Sequence, residues 1–232
     1  MSRLPQVLTP TEEPIFEDYD FASLSPSSSS SPTSTSARTG SRPSLPRAPV
    51  WVDPESLPKY GDTSRIGGNA PEFVKQLNNN TFGAYGLGDK DCIAYTVGKD
   101  VRFVEVNVEP RSDRGGRMEA MTVAEVDVTK KMLNGAGMLH GGCLAYLIDM
   151  CCATPSVVLG LIRKINGVGV TQAMNILYHS PAPSGTRLRI ISTSITLGGR
   201  CMTSRCEVID HRTGRLIASA FLNKMQPNVA KL

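Results

Sequence analysis

The chain has 232 residues, enough for one full domain and some spare length, and a composition of 40% hydrophobic but only 6% aromatic residues suits a core built on aliphatic side chains. Its net charge of +4 is uneven: the first fifty residues hold four arginines against five acids, leaving 21 basic and 16 acidic side chains beyond them. So mild and scattered an excess favours an anionic small molecule and argues against a nucleic-acid partner.

The N-terminus lacks the apolar run of a secretory signal, and Glu12, Glu13, Glu17, Asp18 and Asp20 argue against a mitochondrial presequence. Cytoplasm is the expected compartment, with the mitochondrial matrix as the alternative. Ser25 to Ser36 reads SPSSSSSPTSTS, and Pro43, Pro46 and Pro49 follow. Such a stretch buries too little apolar surface to offset its ordering entropy, so residues 1–60 are expected to form a disordered tail and residues 61–232 the folded domain. Ser25-Pro26 and Ser31-Pro32 are candidate phosphosites in that tail, set against an inert extension.

Order is expected to begin between Trp51 and Pro71. Pro71 followed by EFVKQLNN suits a short helix with proline in its first turn, and an extended region follows. Val101 to Pro110 alternates with a period of two and one apolar face carrying Val104, Val106 and Val108, which predicts a strand. Met118 to Thr129 predicts a second. Gly141 to Leu161 then gives 21 residues with a single ionisable side chain, Asp149, and Leu144, Leu147, Ile148, Cys151 and Cys152 recur at helical spacing. Pro155 is expected to kink or end the regular part. The length would suit a membrane span, but a central aspartate costs about 2.5–3.5 kcal/mol there, so a core helix is the better reading and no span is expected.

Four more strands are predicted: Gly167–Tyr178, Thr186–Leu197, Cys201–Asp210 and Arg215–Met225. They are punctuated by a Pro181–Gly185 turn, Gly198-Gly199 and an Asp210–Gly214 loop, and read as an antiparallel meander. One very apolar helix must be wrapped, and a single sheet of about six strands curled around it is the economical α+β solution. The six cysteines include no CxxC pair and are expected to be reduced core residues of an intracellular protein. With only His140, His179 and His211 and no metal-ligand spacing, no metal or other cofactor is expected.

The chemistry should lie where Asn134-Gly-Ala-Gly-Met-Leu-His140-Gly141-Gly142 enters the helix. Glycines let a ligand approach the backbone, and the first helical N–H groups have no internal partner and sit in positive potential. That suits an oxygen gaining negative charge. On the residues alone Asn134 could equally serve the turn, and His140 could cap the helix. Asp149, a lone charge on a helix that must be buried, is costly unless it is paired or functional, or half exposed in an ordinary polar contact. Nine residues beyond His140 is about 13–14 Å along the axis and about half a turn around it. One helix therefore cannot aim Asp149 and its own N-terminal amides at one atom. If both serve one site, the aspartate comes from a second copy, with two antiparallel helices related by a two-fold axis.

NGAGMLHGGCLAYLID followed by VTQAMNILYHSPA resembles the PaaI-type hotdog-fold acyl-CoA thioesterases, over roughly residues 101–225. The resemblance implies a hotdog fold, acyl-CoA as substrate, and a homodimer or homotetramer. It implies that Gly141 N–H polarises the thioester carbonyl with Asn134 helping to position it, and that His140 orients the loop or donates a hydrogen bond. Asp149 of the facing subunit would be general base or nucleophile. Thr171 falls where a hydroxyl helps hold the water, although serine is common there. The CoA phosphates would need basic residues, for which Arg163, Lys164 and Arg200 are the candidates, and Leu144, Tyr146 and the residues around Pro155 would shape the acyl pocket. A non-catalytic hotdog module binding acyl-CoA or a lipid-like ligand is the alternative. A hotdog hydratase would want a His–acid pair that the nine-residue spacing does not provide.

Overall fold

One helix organises the molecule. In the structure, a computed structural model that describes residues 52–226, α3 (Gly141–Arg163) runs for 23 residues with Leu147, Ile148, Cys151, Cys152 and Val158 almost wholly inaccessible. An all-round apolar helix needs covering on every side. The cover comes from a six-stranded antiparallel sheet and from α1 (Glu72–Gly83). The strands are β1 (Arg102–Arg111), β2 (Arg117–Asp127), β3 (Val170–Tyr178), β4 (Arg187–Leu197), β5 (Cys201–Asp210) and β6 (Leu216–Met225). This is the wrapped-helix arrangement anticipated from the sequence. Most of the Ser/Pro-rich tail lies outside the described residues.

The strand order is β1-β2-β4-β5-β6-β3, which corrects one expectation. The meander holds for β4, β5 and β6, but β3 pairs with β6 at the far edge instead of with β4. Pro181–Gly185 is therefore not a hairpin turn. Pro181 and Pro183 cannot donate to a ladder, and the segment's backbone groups are spent on the loop before α3: Leu139 N–H donates to Ala182 O, and Gly185 N–H donates to Val128 O, both at 2.8 Å. A second correction concerns β1. Its register shifts between Phe103 and Glu105, so Phe103 and Val106 are the buried pair instead of a strict every-second-residue row. A bulge of this kind inserts one residue and reverses the faces beyond it.

α1 starts after Pro71 and buries Val74, Asn78, Thr81 and Phe82, one helical face, towards α3. Phe82 meets Phe103 of β1 edge to face at 5.1 Å between ring centres. A short helix, α2 (Ile93–Gly98), occupies part of the stretch expected to be extended, burying Ala94 and Val97. After α3 the chain returns against it backbone to backbone. A Cβ on Gly167 would stand 2.1 Å from Ser156 O, and one on Gly160 would stand 2.6 Å from Gly167 N.

Pro155 does not end α3, which continues to Arg163. Proline has no N–H to offer the carbonyl four residues back, that of Cys151. The Thr154 hydroxyl donates to Cys151 O at 2.7 Å and stands 2.8 Å from the Thr122 hydroxyl of β2. Next along, Ser156 Oγ lies 3.1 Å from Ser204 Oγ of β5. The proline turn is thus tied to the sheet by small hydroxyls, within a helix that is long and apolar enough to cross a membrane, with mean hydropathy 1.7, yet is mostly buried in this fold. Thr154→Val should lower the urea midpoint by the equivalent of about 1–3 kcal/mol, the cost of leaving buried polar groups unpaired, whereas Thr154→Ser should retain most of it; equal midpoints for the two variants would contradict this repair.

Candidate active site

The loop entering α3 is fixed by its own polar groups. Asn134 Oδ1 accepts from Ala136 N–H at 2.9 Å and Met138 N–H at 3.2 Å, while Gly137, at φ +76°, donates to Asn134 O. His140 N–H donates to Met132 O at 2.7 Å. Its ring Nδ1 accepts from Gly142 N–H at 2.9 Å, capping the helix, which puts the ring proton of a neutral imidazole on Nε2. Asn134 and His140 thus shape the loop and the helix start, and the Asn134 Nδ2 group is left for other acceptors. Tyr178 of β3 donates its hydroxyl to Gly141 O at 3.1 Å, and its ring lies 3.6 Å from where a Cβ on Gly141 would stand. The Gly141 amide belongs to the first turn, whose N–H groups the helix cannot satisfy, and so presents a donor at the positive end of the helix dipole.

Asp149 lies eight residues further on, about 12 Å along the axis. It is half-buried at the wall of a pocket of about 240 Å³ between α1, α3 and the chain from Gly167 to Thr171. Phe82, Tyr85, Met150, Ala153 and Val157 give that pocket its apolar lining. Asp149 Oδ1 accepts from the Thr171 hydroxyl at 2.5 Å. A bulge makes this contact. Thr171 pairs with Lys224 and Ala173 with Asn223, so Gln172 is the extra residue. Strict alternation would put Thr171 on the same face as Ala173, opposite the outward Asn223; the bulge turns it to the helix side.

Lys224 completes the group. It is only 9% exposed, and its Nζ donates to Thr171 Oγ1 at 3.3 Å. Burial holds its ammonium below the usual lysine range, with the Asp149 charge opposing the shift. Burial also raises Tyr85, helped by the same carboxylate, and pushes Tyr146 up to about 12, with Cys92, Cys151 and Asp149 adding to it. Sequence reading passed over Lys224, although the signal was present. It continues the inward row Ala218, Ala220, Leu222 of β6, where a charge is out of place.

The structure brings Asp149 and Thr171 together, and separately Asn134, His140 and Gly141. It does not bring Arg163, Lys164 and Arg200 to either group within a protomer. They lie at the far end of α3 and on the β4–β5 hairpin, where Arg163 donates to Leu197 O and Lys164 lines a larger cavity of about 650 Å³ that includes neither Asp149 nor Gly141. Tyr146 lies against Gly98 of α2 and not in the pocket beside Asp149, and Leu144 is core. One large face stays uncovered. β3 is an edge strand with Val170, Leu177 and Tyr178 exposed at 38%, 59% and 56%, and the first turns of α3 are less buried than Thr154 to Gly160. No group of three or more histidine, cysteine or acidic side chains suited to hold a metal occurs among the described residues.

Residues 136–217 match the family model described as Thioesterase superfamily. Acyl-coenzyme A thioesterase 13 of Homo sapiens is 31% identical over 96 residues, covering 41% of this chain and 66% of that protein, and the Mus musculus protein is 30% identical over the same span. The chain thus aligns with a little under two thirds of the length of these relatives. The crystal structure of zebra fish thioesterase superfamily member 2 matches with a TM-score of 0.50 at 23% identity, covering 63% of this chain and 93% of that one, a likeness of fold. With the wrapped helix, the HGG entry and the aspartate in place, the chain is similar to the thioesterase superfamily over residues 136–217.

Proposed function

We propose that the protein hydrolyses acyl-CoA thioesters to the free acid and coenzyme A, as a homo-oligomer whose sites each draw on two chains. The observation that carries this reading is the Asp149 carboxylate, anchored through one oxygen by Thr171 at the wall of an apolar pocket, on the helix whose first turn offers the Gly141 amide. The relatives' names supply the substrate class.

A thioester is an activated acyl group, so polarising its carbonyl and activating one water suffice. Water attacks the carbonyl carbon while Asp149 takes its proton, and the carbonyl oxygen gathers negative charge against Gly141 N–H of the other chain. Collapse of the tetrahedral intermediate breaks the C–S bond, and the departing thiolate recovers the proton. The two parts are about 12 Å apart on one helix, so in each site they come from different copies. The exposed edge strand β3 and the less-buried opening turns of α3 form the face a second copy would cover, since an open edge with apolar side chains invites pairing.

A panel of short-, medium- and long-chain acyl-CoAs with a thiol reagent, run beside a native mass measurement, should show thiol release by an oligomer; release from none of them would overturn the reading. Asp149→Ala should lower kcat by about 10²–10⁴-fold with the native mass unchanged, and full turnover in that variant would remove Asp149 from the chemistry. Gly141→Pro deletes the amide at a first-turn position that accepts proline and should lower kcat by about 10²–10³-fold. Mixing the two inactive variants as subunits should restore about a quarter of parental activity, because half the dimers are mixed and each has one intact site. No recovery on mixing would mean that the site lies within one chain.

A further inference from the structure

Lys224 is a charge on the buried face of β6, and its surroundings define what it can do. Asp149 and Cys152 of α3 face it, with Tyr85 from the turn after α1 on the same pocket and Thr171 of β3 and Met202 of β5 as its strand partners. Hydrogen bonding to Cys206 and burial keep the Cys152 thiol protonated, and burial does the same for Tyr85. Among the described residues no carboxylate comes within ion-pair distance of Nζ; its hydrogen-bond partner is the Thr171 hydroxyl oxygen, at 3.3 Å. An ammonium group has three donors and no acceptor. While Lys224 is charged, the threonine oxygen therefore accepts, and its single proton must point to another atom. That atom is Asp149 Oδ1, at 2.5 Å.

We propose that Lys224 is a positioning residue of the hydrolytic site: by donating to Thr171 Oγ1 it commits the threonine proton to Asp149 Oδ1 and reserves Asp149 Oδ2 for the attacking water. The inference rests on the hydrolysis proposed above and adds a residue to it. A neutral lysine amine carries a lone pair and can accept from Thr171, so the hydroxyl is then free to turn away from Asp149. Because burial holds Lys224 below the usual lysine range, this release comes at lower pH than for an ordinary lysine.

The test is kcat against pH, corrected for spontaneous hydrolysis, for the parent, Lys224→Arg and Lys224→Met. The parent should lose turnover on the alkaline side, below the ordinary lysine range. Lys224→Arg, whose guanidinium stays charged, should keep its rate through that window. Lys224→Met should show no alkaline limb and a kcat lower by about tenfold, part of the about 10²–10⁴ that general-base help supplies, with KM within about twofold. An alkaline limb that survives in Lys224→Arg, or a Lys224→Met kcat within about twofold of the parent, would overturn the proposal. A second arm needs no turnover: lysine ¹³Cε NMR, with the Lys224 signal assigned by its loss in Lys224→Met. Thr171→Val removes the ammonium's acceptor and should move that titration to still lower pH; an unmoved titration shows that Lys224 does not act through Thr171. If no acyl-CoA is hydrolysed, the proposed activity fails by itself, and this arm still decides the contact.

Discussion

Burial of α3 sets the terms for the rest of the molecule. A helix whose first twenty-one residues carry one carboxylate on a mostly apolar surface is stable in water only if the chain wraps it. The sheet and α1 do so over its second half, where Thr154 to Gly160 are inaccessible without exception. The opening turns are left less covered, and the Gly141 amide and Asp149 both lie there. On the proposed function, wrapping and chemistry are divided along one element: the far half is packed and the near half is presented. A rigid mount matters, because a donor and a base displaced by about 1 Å lose much of what orientation contributes to a rate.

The same division explains why polar groups are admitted to the core where they are. Thr122, Thr154, Ser156 and Ser204 are buried in pairs that bond each other, on the far half, where they offset the proline and join helix to sheet. Lys224, Thr171 and Asp149 form a series on the near half, with Lys224 buried, Asp149 half-buried and Thr171 exposed. A series that ends on a carboxylate with an oxygen to spare is the arrangement that can exchange a proton with something outside the protein.

Much of this was legible in the residues. Period-two runs located six strands to within a few residues, and the density of apolar side chains located α3, because those signals are local. The HGG entry and the lone aspartate were visible for the same reason. What escaped depends on pairing between distant segments. The place of β3 at the far edge is decided by β6, and the Pro181–Gly185 segment, which reads as a turn, serves as the connection that allows it. The bulges at Val104 and Gln172 leave no mark of their own in the sequence, yet the second one decides whether Thr171 reaches Asp149. Lys224 was a different case. It broke the inward row of its strand, and a charge where burial demands an apolar side chain is evidence that reading by periodicity tends to average away.

The close approach of Gly160 and Gly167 has a consequence for how such a protein can diversify. Where main chain rests on main chain there is no side chain to trim, so along the pocket wall from Gly167 to Gly169 only Val168 offers one. Selection for a longer or bulkier guest would have little to work on there beyond Val168. The opposite bank carries larger side chains, Phe82 of α1 and the partly exposed Tyr85 in the turn that follows it. A segment that lies outside the matched residues 136–217 would then set the calibre of the cleft.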